Sequence, residues 1–178
     1  MGMTRIAIIG NAGGGKSTMA RQLRDRLGLP LHAIDQLQWR PGWRPAPKEE
    51  FDAAHARLLA APQWIIDGWG DFAAIEARFA RADTIVLVDY PLWRHYWWAI
   101  KRQCACLFRP RVDGPPGCPM LPMTGRLLKM IWAIDRHALP RLRALVAAQS
   151  NTQKQVFHVR TLRERQAFFR TVERQMSV

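Results

Sequence analysis

The stretch that most constrains this chain is Gly10-Asn11-Ala12-Gly13-Gly14-Gly15-Lys16-Ser17-Thr18, which follows the apolar run Ile6-Ala7-Ile8-Ile9. Its spacing is Gly-x-x-x-x-Gly-Lys-Ser, the pattern of a phosphate-binding loop. Glycines let a backbone wrap a phosphate and aim successive N–H groups inward. Lys16 supplies a compact charge for the β- and γ-phosphates, and the Ser17 hydroxyl supplies an oxygen for Mg²⁺. The pattern has this meaning only between a strand and a helix. Arg5–Ile9 reads as a short buried strand, and Ser17–Leu27 as a helix closed by Gly28 and Pro30. A helix opening there adds free N–H groups and a positive dipole end. Residues Gly10 to Thr18 are therefore expected to bind a nucleoside triphosphate, ATP, with Mg²⁺ beside it.

Composition sets bounds. At 178 residues the chain suits one domain with a sizeable core. Hydrophobic residues make up 48% and there are 8 Trp, so a packed interior is expected rather than disorder. The net charge is +13. Few acidic residues follow Asp113, namely Asp135, Glu164 and Glu173, so the C-terminal part is strongly basic. That balance favours anionic partners, nucleotides or nucleic acid. Arg5 and the glycine loop interrupt any leader-like apolar run, and no stretch is long and apolar enough to span a membrane. The segment from Tyr90 to Ile100 is aromatic but carries Arg94 and His95, and reads as a core or groove-lining helix. Cys104, Cys106 and Cys118 fit no zinc spacing and read as free thiols in a reducing, cytoplasmic setting.

Strand-like and helix-like runs alternate after the loop. Leu29–Asp35 is a short apolar run, followed by a Trp/Pro-rich loop and a helix from about Glu49 to Ala60. Trp64–Asp67 is a strand, Phe72–Phe79 a helix, and Thr84–Asp89 the clearest buried strand. Long helices are expected over Leu92–Leu107 and Thr124–Ala147, with a Pro/Gly-rich interruption between them. Gln155–Val159 is a fifth strand before a closing helix. This alternation predicts an α/β fold with a five-stranded parallel sheet and helices on both faces. Ligands of such sheets bind beyond the carboxyl ends of the strands, where Asp35, Asp67 and Asp89 should gather beside the loop.

The glycine loop, Asp35-x-Leu-x-Trp39-x-Pro-Gly-Trp43, Trp64-Ile-Ile-Asp67-Gly68, Ile85–Arg94 and Gly114-Pro-Pro-Gly117-Cys118-Pro119 together resemble the adenylate-kinase-like topology modulation proteins. The resemblance runs from about Ile6 to Arg165. It implies a relative of the nucleoside monophosphate kinases, with a P-loop NTPase fold. The family name points to DNA topology, a link these motifs do not explain. Three stretches depart from the family pattern. Trp69-Gly70 stands where Asn-Tyr is usual, Leu92 where Arg is usual, and Met120 where Glu is usual.

The resemblance implies that Asp67 holds Mg²⁺ opposite Ser17. Asp89 competes for that role, but Asp-x-Pro also reads as a helix cap, which is the reading favoured here. Asp35 lies where a monophosphate kinase receives its acceptor, and reads either as an acceptor-side base or as a turn residue. Trp39 and Trp43 either stack on a ring or pack the loop down. Phosphoryl transfer needs positive charge around the transferred group. Arg102 and Arg109 are the first candidates, with Arg94 and Arg111 behind them, and Arg78 on the acceptor side. The chain is thus expected to be one domain over 1–178, with an acceptor-side insertion at about 35–60 and a lid-like segment at about 102–123. Lys16, Asp35, Arg102 and Arg109 are the candidate catalytic set. The favoured function is transfer of a phosphoryl group from Mg·ATP to a small acceptor. The rival is a nucleic-acid-associated ATPase whose basic surface tracks a phosphate backbone, although no helix-turn-helix, zinc finger or RNP motif is present.

Overall fold

The computed structural model describes residues 2–108 and 114–176. In chain order its elements are β1 (Arg5–Gly10), α1 (Lys16–Leu27), β2 (Leu31–Ala33), α2 (Ile34–Gln38), β3 (Trp39–Arg40), β4 (Arg44–Pro45), α3 (Lys48–Ala60), β5 (Trp64–Asp67), α4 (Phe72–Arg81), β6 (Thr84–Val88), α5 (Leu92–Cys106), α6 (Thr124–Ala133), α7 (Leu139–Gln149), β7 (Gln155–Val159) and α8 (Leu162–Met176). Five strands form one parallel sheet in the order β2-β5-β1-β6-β7.

Side-chain alternation along β1 explains the two faces. Ile6 and Ile8 point to one side, against Met19 and Leu23 of α1 and Phe168 and Val172 of α8. Ala7 and Ile9 point to the other, against Ile75 and Phe79 of α4 and Leu142 and Val146 of α7. Because both faces are covered, the central strands are apolar at nearly every position. Each fully buried Ile contributes about 2 kcal/mol relative to exposure. The amino edge is pinned by Asp83, whose carboxylate accepts from the Thr4 and Arg5 N–H groups and the Thr4 hydroxyl. Register then sets the carboxyl edge. Ile8 pairs with Asp67 and Gly10 with Val88, so the end of β5 and the start of the loop lie side by side.

The structure differs from the sequence expectation at several points. The strand expected to run to Asp35 stops at Ala33, and Asp35 sits in the first turn of the short α2. The Trp/Pro-rich loop contains a small antiparallel hairpin, β3 with β4. The helix expected over Thr124–Ala147 is divided by a π-helical turn at Ile134–Ala138. Pro140 follows in the first turn of α7, and a proline ring offers no N–H to continue the α-helical ladder.

Asp89 is not a helix cap, since α5 starts after Pro91 with no side-chain cap. Its carboxylate takes two hydrogen bonds from the Arg143 guanidinium, both 2.8 Å, and lies 2.7 Å from His158 Nε2. It thereby ties α7 and β7 to the end of β6. Burial raises the Asp89 pKa, but the Arg143 and His158 contacts outweigh that and leave it below the usual carboxylate range. A depressed folded pKa means that the stabilisation is present above about pH 4 and fades as pH falls through the folded value. We expect Asp89→Ala to cost about 2 kcal/mol in urea unfolding at pH 7, and Asp89→Asn to flatten the loss of stability below about pH 4. A wild-type acid profile in Asp89→Asn would contradict this assignment.

Candidate active site

The glycine loop lies in tight contact with its neighbours. Gly10 has φ 147°, and a Cβ there would lie 2.0 Å from the Val88 carbonyl oxygen. Gly13 has φ 73°, and its Cβ would lie 2.7 Å from the His95 carbonyl oxygen. Neither position accepts a side chain. The buried Asn11 ties the loop to α6, donating to the Ile131 carbonyl at 2.9 Å while its Oδ1 accepts from the Ala12 N–H at 2.7 Å. His95 ties the loop to α5, with Nδ1 2.9 Å from the Ala12 carbonyl oxygen and Nε2 3.1 Å from that of Tyr90. Burial pushes the His95 pKa down, with the Lys16 charge adding to it and the Ala12 hydrogen bond opposing. Neutral imidazole donates to one of the two carbonyls at a time.

Helix α1 begins at Lys16 with Gly15 at its N-cap and no side-chain cap, so its first-turn N–H groups are left for an anion. Lys16 Nζ donates to the Asn11 carbonyl at 2.9 Å, folded back across the loop. Ser17 Oγ donates to Asp67 Oδ2 at 2.6 Å. Asp67 is the last residue of β5 and is 5% exposed. A hydroxyl and a carboxylate side by side at the mouth of the loop are the hard oxygen donors Mg²⁺ prefers, and Mg²⁺ keeps several waters. The described residues include no cluster of three His, Cys, Asp or Glu side chains. The pair therefore fits an ion shared with phosphate oxygens rather than a protein cage.

Behind Asp67 the chain turns through Gly68 and Trp69, and Arg78 holds that turn. Its guanidinium donates to the Gly68 carbonyl at 2.7 Å and to the Trp69 carbonyl. It is 1% exposed, and burial lowers its pKa to about 10 against the pull of Asp67 and Asp71. The expectation that Arg78 faces an acceptor is thus corrected: its hydrogen-bonding capacity goes into backbone carbonyls. Beneath it, His55 stacks on Phe51 at 5.7 Å and is held neutral. Burial and the Arg78 charge lower its pKa to about 4.

These elements enclose a cleft of about 1220 Å³. Residues Ala12 to Thr18 form its floor. At one end are Arg21, Tyr90, Trp98 and Arg165; at the other are Asp35, Gln38, Trp39, Trp43, Trp69 and Phe72. Asp35 lines the cleft, and among the described residues its carboxylate makes no hydrogen bond or ion pair. Arg102 also lines it, from α5. Arg94 does not; its guanidinium lies over the rings of Tyr90, Trp93 and Trp98. Arg109 and Arg111 lie outside the described residues. Asp89 is likewise absent from the lining. Trp39 and Trp43 meet edge to face at 5.8 Å on the cleft wall. The three cysteines are free. The sequence reading missed Asn11 and His95 as loop anchors, and Gln38, Trp69, Phe72 and Arg126 as cleft residues. Trp69 had a signal, because it follows the strand-end Asp67-Gly68.

The turn's support titrates. A His whose pKa is lower folded than unfolded binds more protons when unfolded, so stability falls as pH drops from about 6.5 toward 4. We expect His55 to account for about 3 kcal/mol of loss across that window. The measurement is urea unfolding of wild type and His55→Leu at each pH; equal slopes would contradict it.

No family model and no curated protein matches this chain. Solved structures do. A sugar kinase from Janibacter sp., unliganded, shares 13% identity over 98% of this chain and 93% of its own, with a TM-score of 0.49. Shikimate kinase from Acinetobacter baumannii, solved with shikimate, shares 13% identity over 98% of this chain and 94% of its own, with a TM-score of 0.57. The likeness to shikimate kinase shows the fold: an α/β architecture with a five-stranded parallel sheet covered by helices, shared with that P-loop structure.

Proposed function

We propose that this chain is a kinase that transfers the γ-phosphoryl group of Mg·ATP to the hydroxyl of a small acceptor. The observation that carries the reading is the 2.6 Å contact of Ser17 Oγ with Asp67 Oδ2, set in one cleft with the glycine loop and Asp35. The segments resembling topology modulation proteins, Asp35–Trp43 and Trp64–Gly68, both contribute to that cleft. Three free thiols suit a cytoplasmic setting. Among the described residues no helix is long and apolar enough to cross a membrane.

Each residue has a part. The loop N–H groups and the start of α1 bind the β- and γ-phosphates. Lys16 swings from the Asn11 carbonyl onto those phosphates. Ser17 and Asp67 hold the ion, which when bound neutralises phosphate charge. Arg102 reaches the transferred group from α5. Asp35 orients the acceptor hydroxyl and takes its proton. The aromatic Trp98 and Tyr90, edge to face at 5.1 Å, form a wall for the base at the other end.

The reading has three measurable outcomes. Lys16→Ala lowers ADP release by about 100-fold or more, because positioned charge at the transferring group is lost. Asp67→Asn likewise abolishes Mg²⁺-dependent turnover while leaving the fold intact by circular dichroism, whereas Asp89→Asn retains turnover and loses stability. The reverse pattern for the two aspartates would overturn the assignment. Duplex DNA added to the wild type leaves ADP release unchanged; salt-sensitive stimulation by DNA would favour the ATPase reading.

A further inference from the structure

The far end of the cleft has a distinct chemistry. We propose that it takes a neutral alcohol with a flat apolar or aromatic body, and that acceptors carrying a phosphate or carboxylate are refused; this inference rests on the kinase reading above.

The first observation is volume. The cleft of about 1220 Å³ exceeds the range of about 300–1,000 Å³ that one small ligand usually fills, and the glycine loop lies between its two ends. A second molecule fits beyond the phosphates. The second observation is the walls there. Trp39, Trp43, Trp69, Phe72, Met123 and Leu127 face that space. Two of the three indole N–H groups there are spent elsewhere. Trp69 Nε1 donates to the Gly10 carbonyl at 2.6 Å, and Trp43 Nε1 to the Pro119 carbonyl at 2.8 Å. Both indoles therefore offer only carbon surface, in fixed orientations. Trp69 and Phe72 meet edge to face at 6.1 Å, and the Arg141 guanidinium stacks over the Phe72 ring.

The third observation is backbone strain. Trp43 has φ 60°, the one positive φ at a non-glycine position among the described residues. A bulky residue held in the left-handed region costs about 1–3 kcal/mol and persists where the surroundings fix it. Here Gly42 and Trp43 close the β3–β4 turn, and the Trp43 ring meets that of Trp39 on the cleft wall.

The fourth observation is the fate of the cations. A phosphate or carboxylate buried in an apolar pocket needs converging guanidinium or ammonium groups. At this end Arg78 is turned into the Gly68 and Trp69 carbonyls, Arg40 pairs with Glu50, and Lys48 with Asp52 and Asp71. Arg126 alone of the described basic residues on the hairpin side reaches the lining, and it is exposed. Lys101 and Arg102 line the cleft from α5, one turn beyond Trp98, which lies beside Gly15; Lys101 Nζ lies over the Trp97 ring, and Arg102 is the residue proposed above for the transferred group. Among the described residues at this end the polar side chains left are Asp35, Gln38 and the exposed Arg126, and one exposed guanidinium is not a converging set. A carboxylate repels an anionic acceptor and suits a hydroxyl.

The transfer balances simply. The acceptor oxygen forms a bond to the γ-phosphorus as the bond from that phosphorus to the β–γ bridging oxygen breaks. The hydroxyl proton passes to the Asp35 carboxylate, and ADP leaves.

The test uses the whole protein with Mg·ATP and four probes: 2-(indol-3-yl)ethanol, cinnamyl alcohol, AMP and shikimate. ADP release is followed enzymatically and phosphomonoester product by ³¹P NMR. We expect either aromatic alcohol to raise ADP release at least tenfold and yield its phosphate ester, with AMP and shikimate inert. Trp39→Ala should then raise the KM for the alcohol at least fivefold and leave ATP affinity unchanged by calorimetry. Stimulation by AMP or shikimate with none by the alcohols overturns the acceptor class and leaves the kinase reading standing. If Mg·ATP binds and no probe is phosphorylated, the acceptor class is again overturned. If Mg·ATP does not bind, both readings fall.

Discussion

The cleft depends on a steric constraint: the backbone of residues 10–15 lies against Val88 on one side and His95 on the other, with no room for side chains at Gly10 or Gly13. That closeness lets the loop curl at the end of β1 and open α1 directly. It also makes the loop a shared part of three elements. Asn11 bonds to α6 and His95 bonds to the loop from α5, so the phosphate site and the walls of the cleft are positioned together. Parallel register does the rest. With β5 beside β1, Asp67 falls within hydrogen-bond reach of Ser17, 50 residues earlier in the chain.

Two cations, the buried Arg78 and the half-buried Lys154, serve the fold rather than a ligand. Arg78 holds the Gly68–Trp69 turn through backbone carbonyls, and Lys154 donates to the carbonyls at the end of α4, those of Phe79, Ala80 and Ala82. Both replace missing helix-end or turn hydrogen bonds with charge-assisted ones. This is how a chain of net charge +13 keeps some of its positive charge out of the cleft. The cleft wall of Trp39, Trp43, Trp69 and Phe72 remains apolar while cations stand nearby.

Much of the fold was legible in the sequence because its strands are short apolar runs bounded by turn signals. Arg5–Ile9, Trp64–Asp67 and Thr84–Val88 are of that kind, buried on both faces. The glycine loop was legible because its chemistry is local. What was not legible depends on distant partners. Asp89 looked like a cap from its Asp-x-Pro neighbourhood, but its partners Arg143 and His158 lie 54 and 69 residues away. Arg78 read as an acceptor-side residue because it follows the strand Trp64–Asp67, and nothing beside it in sequence marks the carbonyls it serves. The strand expected to end at Asp35 was cut short because Ile34 turns into α2, a tertiary choice that leaves the aspartate on a helical turn facing the cleft. The π-turn before Pro140 had only the proline as its sign.

The loop, Ser17 and Asp67 are proposed to form one site for a nucleoside triphosphate with its ion. The most direct measurement is calorimetric titration with a non-hydrolysable ATP analogue, with and without Mg²⁺. Binding should strengthen at least tenfold with Mg²⁺ in the wild type and lose that dependence in Ser17→Ala. Affinity indifferent to Mg²⁺, or an unaltered Mg²⁺ dependence in Ser17→Ala, would contradict it.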